Sequence, residues 1–166
     1  MKKTLVILPF QQYNDVVMDL TYEMSRDASA LCYVTLNKTY SSLVRKFGDE
    51  KIDADRFVFI DSITPKVLNF DDAERCTFLE SLDSLDSFAE TLLTLVKSHQ
   101  VKHVIFDSVS SFLVYKSDEE VLKFFNYVVS FLEEMDVHLT MFVLKDDAKR
   151  PAVMQLEMQA DKTRRL

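Results

Sequence analysis

A chain of 166 residues with 27 acidic against 20 basic side chains carries a formal net charge of −7, which disfavours general binding to nucleic acid or anionic membrane. With 48% hydrophobic residues and 13 Phe, the composition excludes a disordered chain and suits one domain with a substantial core. No apolar run approaches the roughly 20 residues that span a bilayer, and Met1-Lys2-Lys3 leads straight into a short strand without a leader's apolar stretch, so a cytoplasmic protein is expected.

Thr4–Leu8 is a short apolar run, expected as a central strand. From Gln12 to Asp27, Val16, Val17, Leu20 and Met24 recur at helical spacing, with Asn14 as the expected N-cap. Ala30–Leu36 is rich in β-formers, and Tyr40–Phe47 is a short helix that Gly48 would stop in the left-handed conformation. Arg56–Asp61 is a third strand. Ser62–Glu74 is polar, holds Pro65 and is expected to be the longest loop, with Cys76–Leu79 a candidate short strand beyond it.

Ser81 and Ser84 offer caps for a helix to about Ser98, with Leu85, Phe88, Leu92, Leu95 and Val96 on one face. Val101–Asp107 is the next strand, followed by Ser108–Ser111. Ser117 or Asp118 caps a long helix to about Met135, with Glu119 and Glu120 in its first turn. His138–Leu144 is the last strand expected. Residues 147–166 form a charged helix or tail, helical over about Ala152–Ala160 and ending in the basic stretch Lys162–Arg165, which is expected to be solvated and mobile. Strands separated by helices imply parallel pairing with right-handed crossovers. Strands with so few polar positions imply a sheet covered on both faces. The expected fold is a three-layer α/β/α domain.

The segments Tyr33-Val-Thr-Leu36, Phe57-Val-Phe-Ile-Asp-Ser62 and His103-Val-Ile-Phe-Asp-Ser-Val-Ser-Ser111, in this order, resemble the RecA-like ATPases of the KaiC type. The resemblance covers Thr4 to about Leu144, within a domain of residues 1–146. It implies that Asp107 and Ser108 stand where the family's Walker B strand ends, whose aspartate supports the magnesium of bound ATP. It also implies a phosphate-binding loop over Pro9–Asp15 and a glutamate pair just after the second strand. Pro9–Asp15 holds no glycine, lysine or serine, and the glutamate positions read Asn37-Lys38. The one glycine of the chain, Gly48, is elsewhere. Backbone closure around phosphate calls for glycine, and neither Asn nor Lys is a carboxylate base. The expectation is therefore a degenerate pseudo-ATPase of a kind found mainly in archaea, with no catalytic residues, no nucleotide cofactor and no metal.

Other chemistry is weakly signalled. Gln11, Gln12, Tyr13 and Asn14 replace the phosphate loop. With Asn37 and Asp61 they make a possible ligand edge at the carboxyl end of the sheet, where open α/β sheets bind ligands. Asp61 and Asp107 could share a proton or cation there, or be solvated loop acids, the plainer alternative. Ser62, Ser108, Ser110 and Ser111 add hydroxyls, but no nucleophile elbow exists, and His103 and His138 sit at the opposite edge. Cys32 and Cys76 have no CxxC spacing and are expected as buried thiols. On the long helix, Phe124, Phe125, Val128, Phe131 and Leu132 belong to an apolar sweep covering more than half the circumference. That width suggests either a homodimer or partner interface, or burial within the chain. Three functions follow: a protein-interaction or regulatory module, a ligand sensor or enzyme at the carboxyl edge, and, on fold analogy alone, a DNA-associated accessory protein.

Overall fold

A computed structural model describes residues 1–64 and 74–166; most of the expected Ser62–Glu74 loop lies outside them. The elements are β1 (Lys3–Leu8), α1 (Tyr13–Asp27), β2 (Leu31–Thr35), α2 (Tyr40–Asp49), β3 (Phe57–Asp61), β4 (Cys76–Phe78), α3 (Leu85–Ser98), β5 (His103–Asp107), α4 (Val109–Tyr115), α5 (Asp118–Glu134), β6 (His138–Leu144), α6 (Pro151–Gln159) and β7 (Lys162–Arg165). Among the described residues, seven strands form one sheet in the order β4-β3-β2-β5-β6-β1-β7, and every pairing is parallel.

The strand period of two divides the core into two layers. On β2, Leu31 and Tyr33 face α1 and α2, while Cys32 and Val34 face the other side. On β5, Ile105 joins the first layer, and Val104 and Phe106 the second. The second layer is roofed by α3, α4, α5 and α6. Helices thus cover both faces, as the apolar strands require. Cys32 and Cys76 are buried free thiols, and burial pushes Cys32 up to about 12.

Of the two alternatives that the wide apolar sweep of α5 left open, burial within the chain accounts for Phe124, Phe125, Val128 and Leu132. Phe124, Phe125, Val128 and Leu132 are all buried. Phe124 stacks on Phe88 of α3 at 4.8 Å and meets Phe112 of α4 edge-on at 5.1 Å, while Phe125 lies edge-on to Phe106 of β5 at 4.8 Å. Phe131 is half-buried, under the Lys97 ammonium at 5.8 Å. Three neighbouring helices and the sheet surround α5, so a stripe wider than one sheet face needs no second chain. Ser117 starts α5 with a full capping box on Glu120.

Gly48 does not stop α2. It lies inside the helix with an ordinary φ, and the left-handed residue is Lys51 at φ 58°. The same ending recurs on α3 with Gln100 at φ 51° and on α5 with Asp136 at φ 52°. In each case the next amide reaches back five residues: Ile52 to Phe47 at 2.8 Å, Val101 to Val96 at 3.0 Å, and Val137 to Leu132 at 2.9 Å. That apolar residue is buried each time. These are Schellman endings held by a hydrophobic contact, without glycine at the left-handed position.

One element is new and one further expectation changes. Ser108–Ser111 opens α4, with the Ser108 hydroxyl accepting from the Ser111 amide at 3.0 Å. The basic stretch Lys162–Arg165 is an ordered edge strand paired with β1. The Asp161 amide donates to Lys3 at 2.9 Å, and Arg165 donates to both carboxylate oxygens of Glu157 at 2.8 and 2.7 Å. Unpaired groups on β1 recruit it, and its charges discourage further pairing. At the amino edge, His103 Nε2 lies 2.8 Å from Thr140 Oγ1, with the His138 ring 5.7 Å away.

Two stability predictions follow from this packing. A Cβ on Gly48 meets no atom within 4 Å, so Gly48→Ala should raise the unfolding free energy by about 0.5–1 kcal/mol in urea melts. Burial first, and His138 second, hold His103 at about 4 rather than 6.5. The unfolded chain therefore binds this proton more readily, and the contribution is present above pH 6.5 and lost as pH falls toward 4. Stability should drop by about 2 kcal/mol between pH 7 and 5, a slope that His103→Gln removes in denaturant titrations at the two pH values.

Candidate functional site

The strand β5 ends on Asp107, whose side chain is fully buried. Buried charge is tolerated only with hydrogen-bond partners, and three side chains supply them. Asp107 Oδ1 accepts from the Tyr13 hydroxyl at 2.5 Å and from Asn37 Nδ2 at 2.8 Å. Oδ2 accepts from the Tyr33 hydroxyl at 2.6 Å, and Lys38 Nζ stands 3.6 Å away. Lys38 also lies over the Tyr13 ring at 5.6 Å. Burial first, then the Asp107 charge, pushes both phenols well above the ordinary tyrosine value, so both remain protonated donors. The Asp107–Ser108 peptide bond is cis.

Each donor is placed by its element. After β1, Pro9 leads into a 3-10 turn over Phe10–Gln12, and α1 begins at Tyr13. The N-cap is Gln12, without a side-chain bond, and the expected cap Asn14 lies within the first helical turn. This geometry carries Tyr13 past the intervening β6, where its ring meets Phe142 edge-on at 6.5 Å, to reach the end of β5. Tyr33 comes from β2, the strand beside β5. Asn37 and Lys38 are held by Thr35, whose hydroxyl accepts from the Lys38 amide at 3.1 Å and donates to the Lys38 carbonyl at 2.8 Å.

Asp61 is equally buried but separately engaged. It accepts from the amides of Tyr40 at 2.6 Å, Ile63 at 2.7 Å and Thr64 at 2.9 Å, and from the Thr64 hydroxyl. It therefore ties the start of α2 to the turn after β3. Asp61 and Asp107 pair with Thr35 from opposite sides, so their backbones stand two strand spacings, or ~10 Å, apart. They do not share a proton, and neither is the solvated loop acid that the sequence suggested.

A cleft of about 360 Å3 opens beside this cluster, its lining including Phe10, Tyr13, Asn14, Asn37, Lys38 and Ser108. Of the expected ligand edge, Asn14 and Asn37 line it, Gln11 and Gln12 are exposed near it, and Asp61 is not part of it. The Ser108 hydroxyl pairs with that of Ser111 at 2.9 Å. Ser110 accepts from the Leu144 amide at 2.8 Å. His103 and His138 are at the other edge. Tyr33 is hidden by its strand; the available signal is a phenol within a buried, mostly apolar run, since a buried tyrosine hydroxyl seeks a partner. Among the described residues, no group of three His, Cys, Asp or Glu side chains is placed to hold a metal ion, and no helix is long and apolar enough to cross a membrane.

No family model matches the chain, and no curated protein matches it in sequence. Solved structures do. A KaiC-like protein, PH0186, from the hyperthermophilic archaeon Pyrococcus horikoshii OT3 aligns with a TM-score of 0.69 at 14% identity, over 98% of this chain and 69% of that one. An uncharacterized protein, PH0321, from Pyrococcus horikoshii, solved in complex with an unknown peptide, aligns with a TM-score of 0.75 at 11% identity, over 98% of this chain and 76% of that one. At such identities the likeness establishes the architecture: the chain has a KaiC-like, RecA-type α/β fold.

Removing one donor leaves the buried Asp107 short of a charged hydrogen bond, and Tyr13→Phe should cost about 1.5–3 kcal/mol in chemical denaturation. In an Asp107→Asn background the same change should cost distinctly less, which a double-mutant cycle measures.

Proposed function

We propose that this chain is a non-catalytic relative of the RecA/KaiC-like ATPases that works as a protein-interaction or regulatory module. The observation that carries the proposal is the engagement of Asp107. Magnesium in a nucleotide site takes carboxylate oxygens together with phosphates and water. Here both oxygens of Asp107 are spent on Tyr13, Tyr33 and Asn37. The phenol of Tyr13 comes from the very segment that would cradle the phosphates.

Further support comes from the same edge. The turn from β1 into α1 has no glycine, lysine or serine, so the residues present do not fit a magnesium nucleotide. Positioning and charge stabilisation supply most of phosphoryl-transfer catalysis, and Asn37-Lys38 offers no carboxylate to orient water. The similar fold of PH0321 in complex with an unknown peptide favours protein contact as the retained activity of such a scaffold.

The cleft beside Tyr13 favours a second reading, a sensor of a small polar ligand. Its wall presents a phenol, two amides, two hydroxyls and the Lys38 ammonium, a mixture suited to a neutral or weakly anionic molecule.

With millimolar ATP and magnesium, phosphate release should equal the buffer blank and the melting temperature should not rise. Turnover that Asp107→Asn abolishes, in a variant still folded by circular dichroism, would overturn the pseudo-ATPase proposal. A thermal-shift screen with small metabolites tests the second reading: a hit lost in Asn37→Ala supports it, and a screen without hits removes it.

A further inference from the structure

A groove lies between the first turns of α3 and the first half of α5, on the face of the sheet that these helices cover. Its volume is about 430 Å3. Its floor is apolar, made by Leu85, Ala89, Phe124 and Tyr127. Three of these are buried or half-buried by the core, but Tyr127 is 47% exposed although its ring packs on Phe131 at 5.1 Å. Of the broad apolar sweep on α5, Tyr127 is the aromatic part that the fold leaves in water.

The rim is charged and unbalanced. Asp83 and Asp86 stand on the α3 side and Glu120 on the α5 side, against Lys123 and against Lys116, whose ammonium donates to the Asp83 carbonyl at 3.5 Å. Glu120 is already engaged, since it accepts from the Ser117 amide and hydroxyl and lies 3.7 Å from Lys116. The carboxylates of Asp83 and Asp86 have no ion pair among the described residues, and both residues are exposed. Asp86 complements the first turn of α3, which explains its helix position. Asp83 precedes the helix and has no such role.

An apolar floor with two exposed carboxylates outside any ion pair of the described residues on one wall selects its occupant by charge. Both helices cover the same face of one parallel sheet and touch through Phe88 and Phe124, and the groove lies between their N-terminal halves. That shape suits a chain segment laid between two helices, with apolar anchors on the floor and basic side chains at the wall. We infer that the α3–α5 groove docks a partner protein's segment in which Lys or Arg flank an apolar anchor. The inference rests on the interaction-module reading and adds where the contact is made and what chemistry the partner presents.

The test is selection of a phage-displayed random peptide library on the full chain, followed by fluorescence-anisotropy titration of the enriched synthetic peptides. Enriched peptides should carry Lys or Arg around an aliphatic or aromatic residue, and binding should weaken as salt is raised. The exposed double variant Asp83→Lys/Asp86→Lys should weaken it at least tenfold, and Tyr127→Ser several-fold, with folding checked by circular dichroism. Asp19→Lys, on α1 across the sheet, should leave it unchanged. Enriched peptides without basic residues, or binding indifferent to both groove variants but lost in Phe10→Ser, would overturn the groove while leaving the interaction module standing. Failure to enrich any peptide would also overturn it. The interaction-module reading itself fails separately, on magnesium-ATP turnover.

Discussion

A single buried carboxylate organises the carboxyl edge of this sheet. Asp107 has no exposure to water, and an ionic group so placed costs several kcal/mol unless donors surround it. Those donors come from the β1–α1 junction, from β2 and from the turn after β2. Meeting the demand fixes the entry of α1, the phenol within β2 and the path of Asn37-Lys38. The backbone adds to it, because the Leu36 amide donates to the Asp107 carbonyl at 2.8 Å. A second buried acid, Asp61, performs a similar task one strand beyond β2, using amides and a threonine hydroxyl instead of phenols.

This arrangement connects the fold to the proposed loss of catalysis. A RecA-type scaffold brings the end of β1 and the end of β5 to one edge, with β6 between them. A nucleotide site would leave the acid there open to metal and phosphate. Here a tyrosine from the β1 side closes onto the acid, so the polar groups are satisfied by the chain itself. The remaining cleft is walled by neutral donors and one partly neutralised lysine. On the proposed reading, the acids of this edge serve the structure, and recognition falls to the helices on the α3–α5 face.

The α5 helix shows why the sequence left two alternatives open for its apolar sweep. Hydrophobic width on a helix reports how much of its circumference is buried, but not by what. Phe124, Phe125, Val128 and Leu132 face the sheet, α3 and α4, which periodicity cannot distinguish from a second chain. The helix endings misled for a related reason. With one glycine in the chain, Gly48 looked like the stop, yet Lys51, Gln100 and Asp136 take the left-handed conformation. Buried contacts of Ile52, Val101 and Val137 offset the strain at those positions, and such contacts are tertiary. The strand Lys162–Arg165 has no apolar alternation, so only the open edge of β1 makes it a strand.

The sequence by itself determined the alternation of strands and helices, the sheet buried on both faces, the caps of Ser84 and Ser117 in outline, and the lack of glycine, lysine and serine between β1 and α1. These are local matters of periodicity, capping chemistry and residue type. Only the tertiary structure decided the strand order, the burial of Asp61 and Asp107, and the meeting of Tyr13, Tyr33 and Asn37 on one carboxylate. Those partners lie 94, 74 and 70 positions from Asp107 along the chain. Their hydrogen bonds form only after parallel pairing has brought β1, β2 and β5 to a common edge.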